Sequence, residues 1–280
     1  MPEAPEVQSV LDALKEPLQD RQVQSVECDH PKLCANESVA DFAALLAGQH
    51  FRAFHRAGKW LVLELDQYEL LVHLRMEGKL YVVDEPSADP KIRKHIHLIV
   101  HLDDGRQLCF QDVRKFGRMY LYPKPENWRE LPVLQQLGPD LLEAVPDVQA
   151  FKASLARRKL VIKQALLDQK LIAGIGNIYA SEMLFEAGIH PDTPANTLSL
   201  EQLERLLQAG HAILQRSLAN KGTTIRSFES MPDHTGGYQN QLQVYGRKGQ
   251  PCPRCGTPLA LEKTGQRSTY LCPNCQKLSD

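Results

Sequence analysis

Two cysteine pairs near the C-terminus constrain the fold most. Cys252-Pro-Arg-Cys255 and Cys272-Pro-Asn-Cys275 give the pattern C-x₂-C-x₁₆-C-x₂-C. Four thiolates in two such knuckles can surround one tetrahedral zinc, closing a β-hairpin too small to have a core of its own. The ligand set is full, so the expected ion is structural, because catalytic zinc keeps an open position. Free or disulfide-bonded thiols are the competing reading. The seven cysteines are an odd number, which argues against a complete disulfide framework and for a reducing cytosol. Cys28, Cys34 and Cys109 lack metal-ligand spacing and read as packing residues. Between the knuckles, Thr264-Gly265-Gln266-Arg267 reads as a hairpin tip presenting one arginine, either solvated or on a phosphate.

Upstream, the hydrophobic period changes along the chain. Val7, Val10, Leu11 and Leu14 make a helical stripe, with Glu3 and Glu6 at its start and Pro17 limiting its end. From about residue 50 to 122 the pattern is short strands: Trp60–Leu65, Leu70–Leu74, Lys79–Val83, His95–Leu102 and Gln107–Phe110. Ile96, Leu98, Val100 and Leu102 should share one face, and Asp103-Asp104-Gly105 should turn the chain. Closely spaced strands of this kind predict a β-sandwich. A proline-rich stretch over 123–140 reads as a linker, followed by helices near 151–168, from 177 through Phe185, and over 198–218. Residues 219–241 read as a long loop, which at that length is functional or disordered.

The fold expected is therefore α+β and multidomain. A β-sandwich with flanking helices occupies 1–136, a helical domain 137–241 and a zinc-ribbon finger 242–280. No apolar run approaches the roughly 18–20 residues of a membrane helix. The MPEAPEVQ start is acidic and proline-bearing, unlike a secretory signal.

The net charge of −1 conceals segregation. Residues 1–50 carry three Lys/Arg against nine Asp/Glu, whereas 91–120 carry seven against three, 151–180 six against one and 241–280 six against two. Separated basic segments can converge on one polyanion, or can simply be solvated. Gly174-Ile175-Gly176 resembles part of a dinucleotide fingerprint, but Tyr179 stands where the third glycine belongs and no strand precedes it. A helix-turn-helix fits better, with Asn177 opening the second helix as a phosphate site or as an ordinary N-cap.

Together these segments resemble the formamidopyrimidine-DNA glycosylase family over nearly the whole chain, in order. MPEAPEV is similar to the family's start, and HLRMEGK (73–79) and DVRKFG (112–117) to its β-domain motifs. LLDQKLIAGIGNIYASEMLF (166–185) resembles its helix–two-turn–helix, and VYGRKGQPC…CPNCQ its finger. Ala4 and Ser227 depart from the usual leucine and aspartate.

The resemblance implies a chemistry residue by residue. Removal of Met1 would make Pro2 an N-terminal secondary amine able to attack C1′ of a nucleotide. Glu3 would act as general acid/base and Glu6 would orient the N-terminus. Without the resemblance, Pro2-Glu3 reads as a helix start. Lys59 and Arg267 join Pro2 and Glu3 in the catalytic set. Lys59, His73, Asn177 and Arg267 match phosphate contacts, with Lys163 a weaker candidate. Met76, Arg114 and Phe116 match the side chains that fill the void left by an extruded base. The Gly222–Tyr238 loop matches a lid in which Thr223, Thr224 and Arg226 bring main-chain donors to the base, and Glu77 touches it. His95, His97 and His101 could pass for metal ligands, although a solvated or DNA-facing strand is the preferred reading.

The resemblance thus implies a monomeric, cytosolic bifunctional glycosylase/AP lyase acting on duplex DNA with oxidised purines or abasic sites. It implies one structural zinc, no catalytic metal, no membrane, and a DNA groove between the two larger domains. An endonuclease VIII-like enzyme for oxidised pyrimidines and a catalytically silent damaged-DNA binder are the rivals.

Overall fold

The computed structural model describes residues 1–223 and 236–278. The chain forms two compact units, Met1–Gln135 with Lys221–Gly236, and Gln136–Asn220 with Gly237–Asp280. The break at Gln135/Gln136 falls in the proline-rich stretch.

In the first unit, helix α1 (Ala4–Leu18) buries Val7, Val10, Leu11 and Leu14, as the stripe predicts. Pro17 does not stop it. The proline removes a single donor in the last turn, and the helix closes one residue later with Gln19 N donating to the Lys15 carbonyl. Two antiparallel four-stranded sheets follow. One has the order β1 (Val23–Cys28), β6 (Ile96–Leu102), β7 (Gln107–Gln111), β5 (Lys79–Val83). The other runs β2 (Phe51–Ala57), β3 (Trp60–Leu65), β4 (Tyr68–His73), β8 (Arg118–Pro123). Helix α2 (Val39–Leu46) and a single turn, α3 (Pro90–Arg93), complete the unit.

One core joins the two sheets. Leu61, Leu63 and Val72 come from one sheet, Val100, Leu108 and Phe110 from the other, and the α1 stripe and Phe42 complete it. Each such fully buried side chain contributes roughly 1.5–3 kcal/mol. Leu98, Val100 and Leu102 share the core face as alternation predicts, but Ile96 does not. The β6–β7 ladder shifts register between Ile96 and Leu98, so Ile96 joins Ile99, Tyr81 and Cys109 on the opposite face.

The second unit contains helices α4 (Val148–Leu155), α5 (Ile162–Leu167), α6 (Asn177–Ala187) and α7 (Leu200–Ala219). The single helix expected near 151–168 is two. Between α4 and α5 the chain pairs with an incoming segment: Val161 bridges Pro194, and the Leu160 carbonyl accepts the Ala195 N–H. Those bonds compete with helix continuation. Helix α7 starts on a capping box, Ser199 with Gln202.

The finger hairpin, β9 (Ala260–Thr264) and β10 (Arg267–Leu271), is fastened to α6. Glu182 accepts the backbone N–H groups of Gln243, Val244 and Tyr245 at 2.7, 2.9 and 2.8 Å. Burial raises its carboxyl above the ordinary range, although those three donors pull the other way. Phe185 extends the same join by packing with Val244, Cys252, Leu259 and Cys272.

Candidate active site

The start of α1 is built around two carboxylates. Glu3 is its N-cap, and the Glu3 N–H donates to Glu6 Oε2 at 2.9 Å in a capping box. Pro2 and Glu3 are both buried. Glu3, Glu6, Lys59 and Glu77 all act electrostatically on the amine at the start of the chain. Burial lowers that amine below its ordinary value, while Glu3 and Glu6 oppose the shift. Lys59 arrives there on the two-residue turn between β2 and β3, where Gly58 has φ +57°. Only 4% of Lys59 is exposed. The sequence motifs at 2–3, 59 and 77 are thus brought to one place.

Met76 and Phe116 sit on two loops of the same unit. With Met1, Arg75 and Arg118 they line an open cavity of about 350 Å³. The Arg114 guanidinium lies 4.8 Å from the centre of the Phe116 ring. Phe116 is 47% exposed, which an ordinary core phenylalanine would not be. Both loops rest on buried Phe110. A Cβ on Gly78 would come within 2.9 Å of its ring, and a Cβ on Gly117 would meet the same ring, so both positions require glycine. Asp112 then ties the second loop: its Oδ1 accepts the Arg114 N–H at 3.0 Å and its Oδ2 the Gly117 N–H at 2.8 Å. The sequence reading did not single out Asp112, although an aspartate opening a short loop closed by glycine is a recognisable signal.

His73 ends β4 with its ring edge-on to Trp60, centroids 4.7 Å apart. Burial, aided by Arg75 and Lys59, pushes its imidazolium down to about 3. The neutral ring accepts the Arg75 N–H on Nδ1 at 3.0 Å, which leaves the proton on Nε2 as a donor. His97 departs from expectation, because its ring is buried rather than solvated. His101 pairs with Glu27 at 2.8 Å.

The second unit holds Lys163, Asn177 and Arg267. Lys163 is fully buried, and its ammonium donates to Ser268 O at 3.0 Å and Thr269 Oγ1 at 2.7 Å. It therefore organises β10 instead of standing open to a phosphate. Asn177 is the first residue of α6, with Gly176 as the cap, so the N-cap reading is replaced. Its Nδ2 also donates to Ser268 O, at 2.9 Å, and its Oδ1 is buried without a partner. Arg267 is exposed where β10 begins, just after the tip, and both tip residues adopt positive φ, +51° and +65°.

The four sulfurs of Cys252, Cys255, Cys272 and Cys275 lie within 4.8 Å of one another. A tetrahedral ion with Zn–S bonds of about 2.3 Å sets its sulfurs about 3.8 Å apart. Cys252–Cys275 at 3.9 Å and Cys255–Cys272 at 3.5 Å fit that shape.

Of the lid residues, Thr224 and Arg226 lie outside the described residues. Thr223 is described, and its N–H donates to Glu6 Oε1 at 2.7 Å. That donor is engaged by the N-terminal site here and is not offered to a base.

Three family models match the chain: the formamidopyrimidine-DNA glycosylase N-terminal domain over 1–119, the H2TH domain of the same enzyme over 137–229, and the zinc finger found in FPG and IleRS over 249–278. The chain belongs to the formamidopyrimidine-DNA glycosylase family. The formamidopyrimidine-DNA glycosylase of Listeria innocua is 39% identical over 277 residues, covering 99% of this chain and 100% of its own. That of Moorella thermoacetica is 45% identical over 260 residues, covering 92% and 93%. Among solved structures, a Lactococcus lactis FPG variant bound to a Fapy-dG containing DNA superposes with a TM-score of 0.89 at 35% identity, over 99% of this chain and all of that one. The Lactococcus lactis enzyme bound to DNA with an abasic site gives 0.88 at 34% identity, covering 98% and 99%. The family's zinc finger and the four-cysteine cluster coincide, which supports a structural zinc. Among the described residues, no helix is long and apolar enough to cross a membrane.

Proposed function

We propose that the chain is a base-excision-repair DNA glycosylase and AP lyase that removes oxidised purines, 8-oxoguanine and formamidopyrimidines, from duplex DNA. The observation that carries this reading is the convergence of Glu3, Glu6, Lys59 and Glu77 on the start of the chain, beside the cavity of Met76 and Phe116. While Met1 is attached, the Pro2 nitrogen is an amide and inert. Its removal makes that nitrogen a secondary amine in the same buried, charged surroundings.

The amine then attacks C1′, the C1′–N bond of the lesion breaks, and the base departs with the electron pair and takes up a proton. The nitrogen then gives up its proton and its electron pair expels O4′ from C1′, the sugar ring opening as O4′ takes up a proton. The resulting iminium has no N–H proton to lose, so its nitrogen stays cationic and acidifies C2′. Loss of the C2′ proton expels the 3′ phosphate, and a second elimination expels the 5′ phosphate. Glu3 moves these protons, Glu6 holds the N-terminus and Lys59 supplies positive charge. Met76 and Phe116 fill the stack, Arg114 addresses the base left opposite, and Glu77 meets the extruded base. His73, Asn177 and Arg267 hold phosphates. One zinc on Cys252, Cys255, Cys272 and Cys275 supplies rigidity to the finger, and the chemistry needs no catalytic metal. The enzyme works as a cytosolic monomer on DNA.

Borohydride reduction during reaction with an 8-oxoguanine duplex tests this. The expected result is a covalent adduct that mass spectrometry locates on Pro2. An adduct on Lys59 or Lys163 overturns the nucleophile assignment, and DNA binding without any adduct favours the silent binder. Faster release of oxidised pyrimidines than of 8-oxoguanine favours the endonuclease VIII-like alternative.

A further inference from the structure

His97 has no place in the chemistry above, yet it is the most enclosed of the three histidines at 95, 97 and 101. Its side chain is 1% exposed. The register shift between Ile96 and Leu98 leaves His97 as the extra residue of the strand. Such a bulge re-aims a side chain. Here the ring reaches the loop that carries Arg114 and Phe116: its Nε2 lies 3.1 Å from the Asp112 main-chain carbonyl. Its Nδ1 lies 2.8 Å from Asp29 Oδ1. Both partners are oxygen atoms, so the ring spans from Asp29 to the Asp112 carbonyl. A third bond, from Asp29 N to the His97 carbonyl at 3.2 Å, keeps the two residues in register where the β1–β6 ladder ends.

Asp112 is therefore held at both ends. Its carboxylate organises the loop from within, through the Arg114 and Gly117 N–H groups, and its carbonyl is held from β6. The loop needs such support because Lys115, at its centre, has φ +58°, a conformation that a non-glycine side chain adopts only when its surroundings impose it. We infer that His97, braced by Asp29, is a positioning residue that holds the Asp112–Gly117 loop so that Arg114 and Phe116 meet the vacated stack in one geometry. This rests on the reading of Arg114 and Phe116 as the void-filling side chains.

The test compares single-turnover rates on two duplexes, one with 8-oxoguanine opposite cytosine and one with a preformed abasic site. An abasic site has no base to extrude, so it reports the amine chemistry alone. His97→Ala should slow excision of 8-oxoguanine by roughly tenfold to a hundredfold and change abasic-site cleavage by less than about twofold, because a displacement of about 1 Å has effects of this size. His97→Gln should recover part of the loss, since its amide can still donate to the Asp112 carbonyl. On an Arg114→Ala/Phe116→Ala background, His97→Ala should slow excision no further, because the loop then has nothing left to position.

Asp29 is 65% exposed and contributes little to stability, so Asp29→Asn folds even where His97→Ala does not, and it should show the same selective loss at smaller size. If Phe116→Ala is selective and neither Asp29→Asn nor the His97 variants are, the brace is wrong and the wedge reading stands. If Phe116→Ala slows both substrates equally, the wedge reading fails and takes this inference with it.

Discussion

Glu6 and Thr223, 217 residues apart in sequence, are joined by a 2.7 Å hydrogen bond from the Thr223 N–H to Glu6 Oε1. The other oxygen of the same carboxylate accepts the Glu3 N–H at 2.9 Å. One anion thus ties Thr223, near the start of the lid segment, to the residue after Pro2. Hydrogen bonds to a charged group contribute about 1.5–3 kcal/mol each, so the pair is a substantial local constraint.

Glu6→Gln keeps the shape of that side chain but offers only one acceptor oxygen. Its NH₂ must then face a backbone N–H, donor against donor. The variant should slow lesion excision and abasic-site cleavage together, since both need the N-terminus in place, and should lower the urea midpoint of unfolding. A selective loss on one substrate would place Glu6 outside this shared role.

Pro2-Glu3, HLRMEGK and DVRKFG are compact motifs, but they point to a site only through the resemblance to the family. Pro2-Glu3 alone reads as a helix start, and Lys59 lies outside all three. The finger was legible from spacing alone. What the sequence did not disclose depends on long-range partners. Lys163 looks like a surface cation until the Ser268 carbonyl and the Thr269 hydroxyl are seen to take its ammonium. Ile96 keeps perfect alternation with Leu98, yet a one-residue register shift sends it to the opposite face. The helix expected over 151–168 breaks because residues 160–161 find partners near 194. Periodicity reports local preference, and each of these outcomes was decided by a strand, a bridge or a buried acceptor distant in sequence.

The finger's dependence on metal is tested by Cys255→Ser or by a strong chelator. The hairpin cluster around Cys252, Leu259 and Cys272 is small, so loss of the ion should loosen β9 and β10 and the Arg267 they present. Zinc content should fall from about one per chain to well below that, with weaker DNA binding and the sandwich still folded by circular dichroism. Full DNA affinity in metal-free protein would contradict the assignment.

Salt separates charged from neutral phosphate contacts. Only cations release counterions, and with about two to five of them the log–log slope of affinity against salt should be roughly −2 to −4. Arg267→Ala should flatten that slope by about one unit and weaken all sequences alike. His73 is neutral, its imidazolium held down near about 3 by burial. His73→Ala should therefore weaken binding without changing the slope. A slope change as large as that of Arg267→Ala would mean that His73 binds DNA as a cation.

Glu69 provides a stability test remote from the chemistry. It lies on β4 opposite Glu64 and Tyr122, is 1% exposed, and its Oε2 has no partner. Burial first, then the charge of Glu64, pushes its carboxyl from an ordinary 4.5 up to about 7, with Lys124 pulling the other way. Below pH 4.5 the folded and unfolded states are both protonated and the site has no pH-dependent effect. As pH rises through the window from 4.5 to 7, the unfolded chain releases this proton while the folded protein keeps it, so stability falls. Above 7 the folded carboxyl ionises as well, and the accumulated loss, up to about 3 kcal/mol, remains. Glu69→Gln never ionises and keeps the shape. Urea unfolding of both proteins from pH 4.5 to 8 should show the variant gaining on the wild type across that window and level beyond it. His73 acts in the opposite sense, its depressed value removing stability as pH falls, but it is common to both proteins and cancels in the difference. A difference that stays constant with pH would mean that Glu69 is already ionised in the folded protein at pH 4.5.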